Sequence, residues 1–338
     1  MSKQLKTIIQ YIFFLGIGVF FAWLSLKNLD KKNLSQIKDA VRNARHWLII
    51  PVFAILLASH FIRGLRWRLL IEPMGYNVSK KNAFFAVLIG YFTNQAVPRL
   101  GEVVKCTVLN RYEKVPVDKL IGTIILERLI DAITLVIVFG ITLAIQPHIY
   151  EQIIDTMFKH DAATGEAPKK IATWLLALIG IAVIAIAVAA WMIIKKKTFA
   201  DVIDQLKKIW KSVWQGISAI QHLKKRGQFI LLTIILWSTY LLGGYIGFKA
   251  LQQTEMYGIR EAFTVLSAGS IGMIIPTPGG IGAYAYLVQK TMQLYGLDEF
   301  TALAFGWILW LVQTAVIVIG GLFSLIALPF FNRKKRSE

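Results

Sequence analysis

The apolar residues of this chain come in blocks, and the length of those blocks constrains its fold more than any other feature. An α-helix rises 1.5 Å per residue, so roughly 20 residues cross the ~30 Å hydrocarbon core of a bilayer. Apolar residues make up 56% of the 338 residues and charged residues 17%, which excludes a disordered chain and argues against ordinary water-soluble domains. The sequence therefore predicts an all-α, polytopic integral membrane protein. The blocks cover residues 8–26, 47–62, 83–97, 120–145, 171–194, 229–248, 262–275, 281–294 and 300–331.

Two of the blocks are interrupted by proline. The block 83–97 is short for a crossing and is followed by Pro98, which cannot continue a helix. A second break, Pro276-Thr277-Pro278-Gly279-Gly280, separates blocks 262–275 and 281–294. We interpret both as re-entrant segments, so we predict about six full crossings plus two broken segments. Breaks in opposite halves and opposite senses are typical of inverted-repeat transporters, although sequence similarity between the halves is faint.

The positive charges predict the orientation in the membrane. The basic amphipathic loop 195–227 and the basic tail 333–338 are expected in the cytoplasm. Residues 1–332 then form a single transmembrane domain of the cytoplasmic (inner) membrane, with both termini cytoplasmic. The basic amphipathic segment 28–46, predicted to lie on a membrane surface, would be left outside. A seven-crossing alternative would correct this but would export the arginines at 63–68, where Trp67 is predicted to be an interfacial anchor.

Charged residues accompany the first break and the block 120–145. Arg99 and Glu102 follow Pro98, whereas Glu127, Arg128 and Asp131 interrupt an otherwise apolar helix. Ionisable groups at membrane depth cost about 2.5–3.5 kcal/mol each, so they indicate a substrate or ion path. Arg99–Glu102 and Arg128–Asp131 could instead be structural ion pairs near the interface, and the two interpretations are compatible. The predicted substrate-binding residues are Asn94, Arg99, Glu102, Glu127, Arg128, Asp131, Pro278, Gly279, Gly280 and Gly282.

The second break also has two interpretations. Its glycines could simply let helices pack closely, as small residues do in membranes. Two prolines within five residues exceed what packing needs, and therefore favour a functional loop. The freed N–H groups and the dipole of the following helix would suit an anionic phosphate.

Several kinds of chemistry lack support in the sequence. Cys106 is the only cysteine, and no two of the five histidines are three or four residues apart, so no metal site is expected. The chain contains no phosphate-binding GxxxxGK[ST], no HExxH and no GxSxG motif. We therefore expect no enzyme, no catalytic residues, no cofactor and no nucleic-acid partner. Membrane lipids are the expected partners, and homo-oligomerisation stays open.

The run from Asn94 to Glu102 and the segment Glu127-Arg128-Leu129-Ile130-Asp131 resemble the lysylphosphatidylglycerol synthase transmembrane (flippase-like) family. Arg66-Trp67 upstream and residues 276–282 downstream extend the resemblance, in order and spacing, over roughly residues 10–325. The family resembles the membrane half of the bacterial multiple peptide resistance factor, which moves aminoacylated phosphatidylglycerol between leaflets. Archaeal relatives are linked to polyprenyl-phosphate sugar pathways. The resemblance places the charged candidates on the family's polar positions and Pro278 to Gly282 on its glycine-rich break.

Two departures limit what the resemblance implies. Many members place a glutamate shortly after the glycine motif, where this chain has Tyr284-Ala285-Tyr286. The aminoacyl-transferring domain is expected to be absent, because the chain stops seven residues after Phe331. We therefore expect a flippase for an anionic phospholipid or polyprenyl-phosphate-linked lipid, with Arg99 and Arg128 holding the phosphate. The alternatives are a structural or partner-binding membrane protein of a lipid or envelope pathway, and a small-ion carrier.

Overall fold

The regular secondary structure of the described chain is helical throughout. The computed structural model describes residues 3–27, 29, 37–38, 42–146 and 223–333, with the backbone alone for residues 3–10. These residues belong to one compact unit, and the predicted all-α class is confirmed for them. The helices are α1 Lys3–Leu26, α2 Ile49–Ile71, α3 Lys80–Ala96, α4 Leu100–Glu113, α5 Val117–Ile145, α6 Arg226–Phe248, α7 Ile259–Ile274, α8 Ala283–Leu294 and α9 Glu299–Arg333.

Within the described residues, four helical segments are long and apolar enough to cross a bilayer. They are His46–Met74, which contains α2, together with α5, α6 and α9. Their length and composition indicate a multi-pass membrane protein. The expected crossing 171–194, nearly all of the basic loop 195–227, most of the segment 28–46 and the tail after residue 333 lie outside the described residues. The count of six crossings therefore stays a prediction.

Helix α2 continues through the arginines that the sequence analysis placed at a membrane interface. The predicted block ended near residue 62, whereas α2 runs to Ile71 and buries Arg66 and Trp67 completely, at 0% exposure. The indole Nε1 of Trp67 donates a hydrogen bond to Thr123 Oγ1 at 2.9 Å. The interfacial-anchor prediction is wrong for Trp67, because α5 offers its polar atom a partner inside the helix bundle.

The first break joins α3 and α4 into a tight helical hairpin. The turn Val97–Arg99 reverses the chain, and Arg99 adopts the left-handed conformation with φ 67°. A Cβ on Gly101 would overlap the carbonyl oxygen of Gly90, so the two helix backbones approach closely at this point. The Oδ1 of Asn94 accepts a hydrogen bond of 2.8 Å from the Gly101 N–H and so satisfies one free donor at the start of α4.

The second break joins α7 and α8 into a corresponding hairpin. Residues 275–282 separate these helices and include a short 3₁₀ turn, Pro278–Gly280, in which Gly279 has φ 56°. The Nε1 of Trp310 on α9 donates to the Gly279 carbonyl oxygen at 2.9 Å and holds the turn in place. Both interruptions lie where the sequence analysis predicted them, whereas their re-entrant placement in the membrane stays a prediction.

Two halves of the described chain repeat one order of elements. Helix α2, the α3–α4 hairpin and α5 are followed by α6, the α7–α8 hairpin and α9. Helices α2 and α6 pack on each other, α5 packs on α7, and α9 packs on α3, so each half contributes its last helix to the other half's hairpin. Helix α1 packs against α8 and the second break. The packing of each half's last helix on the other half's hairpin brings the two breaks together.

Candidate functional site

A cavity of about 480 Å³ lies where the two broken hairpins meet. This volume lies within the range of small-molecule sites, which is about 300–1,000 Å³. The wall combines charged and polar groups of the first break and α5 with apolar side chains from several helices. The polar part includes Asn94, Gln95, Arg99, Glu102, Arg128 and Asp131. The apolar part includes Val52, Leu56, Leu135, Val265, Leu266 and Ile317.

The end of α3, just before the first break, touches the second break within this cavity. A Cβ placed on Gly279 would overlap the side-chain amide of Gln95, which belongs to the last turn of α3. Residues of the first break line the same space as Gly279 and Gly280 of the second break. The cavity is thus shared between the two halves of the described chain.

Behind the cavity wall, Glu127 is fully buried at 0% exposure and is surrounded by three cationic side chains. Its Oε1 accepts hydrogen bonds from Arg63 Nη1 at 2.9 Å and Arg66 Nη2 at 3.4 Å. Its Oε2 accepts one from Lys105 Nζ at 3.0 Å. Asp131 accepts from Arg63 Nη1 at 2.7 Å and from Arg66 Nη2 at 2.5 Å. The network thus joins α2, α4 and α5 and has one positive charge in excess.

The spacing of these residues along their helices explains why the network forms. Arg63 and Arg66 are three residues apart and share one face of α2, whereas Glu127 and Asp131 are four apart and share one face of α5. Buried charges are tolerated only when they are paired and hydrogen-bonded, and removal of one partner costs about 3–5 kcal/mol. We therefore assign this network to the stability and positioning of the cavity wall.

Aromatic groups complete the surroundings of the buried cations. Lys105 Nζ lies 4.7 Å from the centre of the Trp67 ring, a cation–π distance. Arg63 also donates from Nη2 to the Tyr240 hydroxyl at 3.0 Å. Both terminal nitrogens of Arg63 are thus engaged within the protein. A ligand in the cavity would have to take its cationic contacts from elsewhere.

Arg99 and Arg128 supply those cationic contacts. Arg99 is exposed and lines the cavity, and no carboxylate of the described chain lies within ion-pair distance of it. Arg128 pairs through Nε with Glu102 Oε1 at 2.8 Å, and both side chains are more than one-third exposed. The expected pairs Arg99–Glu102 and Arg128–Asp131 are therefore wrong. Glu102 turns to α5 instead, and Asp131 is held by the arginines of α2.

Seven of the ten predicted binding residues line the cavity, and the other three lie outside its lining. Glu127 lies within the buried network, and Pro278 is buried in its turn, so neither reaches the cavity wall. Gly282 faces α1, where a Cβ would meet the backbone of Gly18 and Ala22 at 2.5 Å. Tyr284, in the first turn of α8, lines the cavity, and the predicted contact between the N–H groups of this helix and a phosphate stays a prediction. The seven lining residues are Asn94, Arg99, Glu102, Arg128, Asp131, Gly279 and Gly280.

Several functional candidates were missed by the sequence analysis. Arg63 and Arg66 were interpreted as interfacial residues, although their three-residue spacing matches the carboxylate face of α5. Their burial depends on contacts across more than 60 residues of sequence, which no local pattern encodes. The other missed residues that line the cavity include His60, Trp237 and Tyr240.

The fold and cavity define a helical, multi-pass membrane protein with a charged internal site. The chain matches the family described as the lysylphosphatidylglycerol synthase TM region over residues 8–321, and it belongs to that family. The resemblance inferred from the motifs is thereby confirmed.

Three proteins to which the chain is similar come from archaea. A UPF0104 membrane protein of Methanocaldococcus jannaschii is 28% identical over 37% of this chain and 36% of its own length. A second UPF0104 membrane protein, of Methanothermobacter thermautotrophicus, is 22% identical over 73% of this chain and 75% of its own. The glycosyltransferase AglD of Haloferax volcanii is 21% identical over 87% of this chain and 51% of its own. The chain thus spans about a third of the first of these relatives and half of the third. No solved structure matches the chain.

Proposed function

We propose that this protein moves an anionic lipid or lipid-linked phosphate between the leaflets of the cytoplasmic membrane. The supporting observation is that one cavity joins cationic groups to an apolar wall. Arg99 and Arg128 offer guanidinium nitrogens that no other described group occupies, and Leu56 and Leu135 belong to the same lining. A lipid phosphate needs both kinds of surface while it crosses the bilayer, because its charge cannot enter hydrocarbon unaccompanied.

Arginine suits the phosphate end of such a substrate. Its planar guanidinium can donate two parallel hydrogen bonds to phosphate oxygens, and it stays charged at any physiological pH. Arg99 belongs to the first break and Arg128 to α5, so a bound phosphate would connect the hairpin to a long helix. Glu102 pairs with Arg128 through Nε, which leaves the terminal nitrogens of Arg128 for the phosphate while the ion pair stays intact.

The arrangement in the membrane forms part of the same proposal. Six crossings would place both termini in the cytoplasm, and the two hairpins would enter from opposite faces to meet at the cavity. The repeated order of elements in the two halves supports this inverted arrangement. Because the sequence contains no phosphate-binding GxxxxGK[ST] motif, movement would run downhill or couple to an ion gradient.

One relative bears on the substrate. The Haloferax protein is named a glycosyltransferase, and sugar transfer at a membrane commonly uses donors anchored through a lipid phosphate. This name favours a polyprenyl-phosphate-linked lipid over a bulk phospholipid. The charged cavity accommodates the phosphate of either.

The test is lipid movement in proteoliposomes. Labelled polyprenyl phosphate or phosphatidylglycerol is placed in one leaflet, and its appearance in the other is timed. We expect Arg99→Gln with Arg128→Gln to slow this movement at least about tenfold, since each charged hydrogen bond contributes roughly 1.5–3 kcal/mol. The matched control is Arg111→Gln, an exposed arginine of α4 outside the cavity lining, which should leave the rate unchanged.

Two other outcomes would overturn the proposal. A small-ion carrier would pass ions through lipid vesicles while labelled lipids stay in their leaflet. A structural or partner-binding protein would insert normally and move neither, with wild type and both variants matching protein-free vesicles.

A further inference from the structure

Beside its cationic end, the cavity contains a second set of polar atoms. His60 Nδ1, Trp237 Nε1 and Thr277 Oγ1 are buried atoms with no hydrogen-bond partner among the described residues, and all three residues line the cavity. His60 is 6% exposed and Thr277 5%. They come from α2, α6 and the second break. A buried polar atom without a partner is destabilising, so three of them at one cavity indicate a ligand that bonds to them.

The chemistry of these atoms selects hydroxyl groups. An indole N–H only donates, a threonine hydroxyl both donates and accepts, and an imidazole Nδ1 does one or the other according to its tautomer. Hydroxyl groups can meet all three requirements. The rings of His60 and Tyr91, whose centres are 5.0 Å apart, add an aromatic surface beside them. The apolar C–H face of a sugar ring packs well on such a surface.

A cationic headgroup fits this cavity poorly. The carboxylates that line it within the described chain are already paired, Asp131 with two arginines of α2 and Glu102 with Arg128. Arg99 adds a further positive charge without a described counterion. An ammonium group would therefore meet repulsion and find no free carboxylate.

We propose that the cavity takes a lipid phosphate whose headgroup is neutral and polyhydroxylated, such as a hexose. The phosphate lies on Arg99 and Arg128, and the hydroxyl groups bond to His60, Trp237 and Thr277. This inference rests on the proposed function for the lipid phosphate held by Arg99 and Arg128, and it adds the class of headgroup. It separates this chain's site from one that binds an aminoacylated headgroup.

Binding to the purified full-length protein in detergent tests the inference independently of transport. The probes are three lipids with one polyprenyl chain: the hexosyl phosphate, the unsubstituted phosphate and the aminoethyl phosphate. We expect the hexosyl lipid to bind about tenfold more tightly than the aminoethyl lipid, because its hydroxyl groups form two or three hydrogen bonds that the aminoethyl lipid lacks. The unsubstituted phosphate should lie between them.

Conservative variants then locate the headgroup. Thr277→Val removes one polar atom at nearly constant shape, and Trp237→Phe removes the indole N–H but keeps a smaller aromatic ring. Each should weaken hexosyl binding about three- to tenfold. Binding of the unsubstituted phosphate should stay unchanged, which separates a headgroup contact from general damage to the cavity. The matched controls are Thr239→Val, whose hydroxyl bonds within α6 to Leu236 O, and Trp47→Phe, which is exposed.

Each outcome bears on one of the two proposals. Equal binding of the hexosyl and aminoethyl lipids, or equal weakening of all three lipids by Trp237→Phe and Thr277→Val, would overturn the headgroup inference. Selective binding without movement in proteoliposomes would overturn the transport proposal and leave the headgroup assignment intact. Movement of lipids without headgroup selectivity would do the reverse.

Discussion

The side-chain amide of Gln95 lies so close to Gly279 that a single added methyl group at Gly279 would overlap it. This contact joins the last turn of α3 to the break before α8, and Gln95 and Gly279 are more than 180 residues apart in sequence. It is one point at which the two halves meet within the cavity. Any movement that opens the cavity between the hairpins would have to separate this pair.

Gly279→Ala should therefore disturb both the stability and the activity of the protein. The added Cβ would overlap Gln95, and Gly279 has φ 56°, a conformation that costs other residues roughly 1–2 kcal/mol. We expect a loss of about 1–3 kcal/mol in the free energy of unfolding, measured by denaturant titration in detergent, together with slower lipid movement.

Two companion variants sharpen this test. Gln95→Ala combined with Gly279→Ala should recover the steric part of the loss and retain the conformational part. Gly122→Ala on α5 serves as the control, because a Cβ at that position meets no atom within 4 Å. A Gly279→Ala protein as stable as wild type would contradict the close contact between the breaks.

Neutralising Glu127, the buried carboxylate that binds Arg63, Arg66 and Lys105, should destabilise the protein more than Gly279→Ala does. In Glu127→Gln, the cations Arg63, Arg66 and Lys105 would keep their charges and lose their common counterion. We expect unfolding to become easier by about 3 kcal/mol, the lower end of the range for breaking a buried pair. Denaturant unfolding in detergent measures this loss.

A double variant tests whether the loss is electrostatic. Adding Lys105→Met to Glu127→Gln removes one unpaired cation and should recover part of the stability. Asp118→Asn in the first turn of α5 is the control, and its cost should stay within about 1 kcal/mol. If Lys105→Met destabilised the Glu127→Gln protein as much as it destabilises the wild type, the two residues would not be coupled.

The helices and charged residues of this protein can be predicted from its sequence better than the ion-pair partners of those residues. Eight of the nine predicted apolar blocks coincide with described helices, although α2 runs on to Ile71 and α4 was not predicted. Both proline breaks occur where proline removes a backbone donor and ends a helix. These features follow from local chemistry. Carboxylates inside the fifth helix were recognised as unusual because charge is costly within an apolar block.

The pairing of those charges could not be predicted. Arg63 and Arg66 follow an apolar run, and that position is equally typical of an interfacial anchor and of a buried network. Only the packing of α2 beside α5 decides between them. The paired residues are separated by 61 to 68 positions in the sequence. For the same reason, Glu127 was assigned to the binding surface although it lies behind it.

The two tryptophans at the ends of the second block provide a direct test of this correction. Trp67 is 0% exposed and bonds to Thr123, whereas Trp47 is 65% exposed. Trp67→Ala should lower the free energy of unfolding by about 3–5 kcal/mol, as large core truncations do. Trp47→Ala should change it by less than about 0.5 kcal/mol, measured in the same detergent. Equal effects of the two substitutions would restore the interfacial interpretation of Trp67.

Arg99 and Lys114 carry the same backbone strain at opposite ends of α4, with φ 67° and φ 59°. Glycine adopts this left-handed conformation readily, whereas other residues lose roughly 1–2 kcal/mol in it. Arg99→Gly and Lys114→Gly should therefore each stabilise the folded protein by about 0.5–1 kcal/mol after the greater chain entropy of glycine is included.

Of these two residues, only Arg99 lines the cavity, so Arg99→Gly should slow lipid movement several-fold while Lys114→Gly leaves it unchanged. Unfolding and transport measured on the same preparations separate the two effects. If Arg99→Gly transported at the wild-type rate, Arg99 would be a residue of the turn alone and the phosphate assignment would fail.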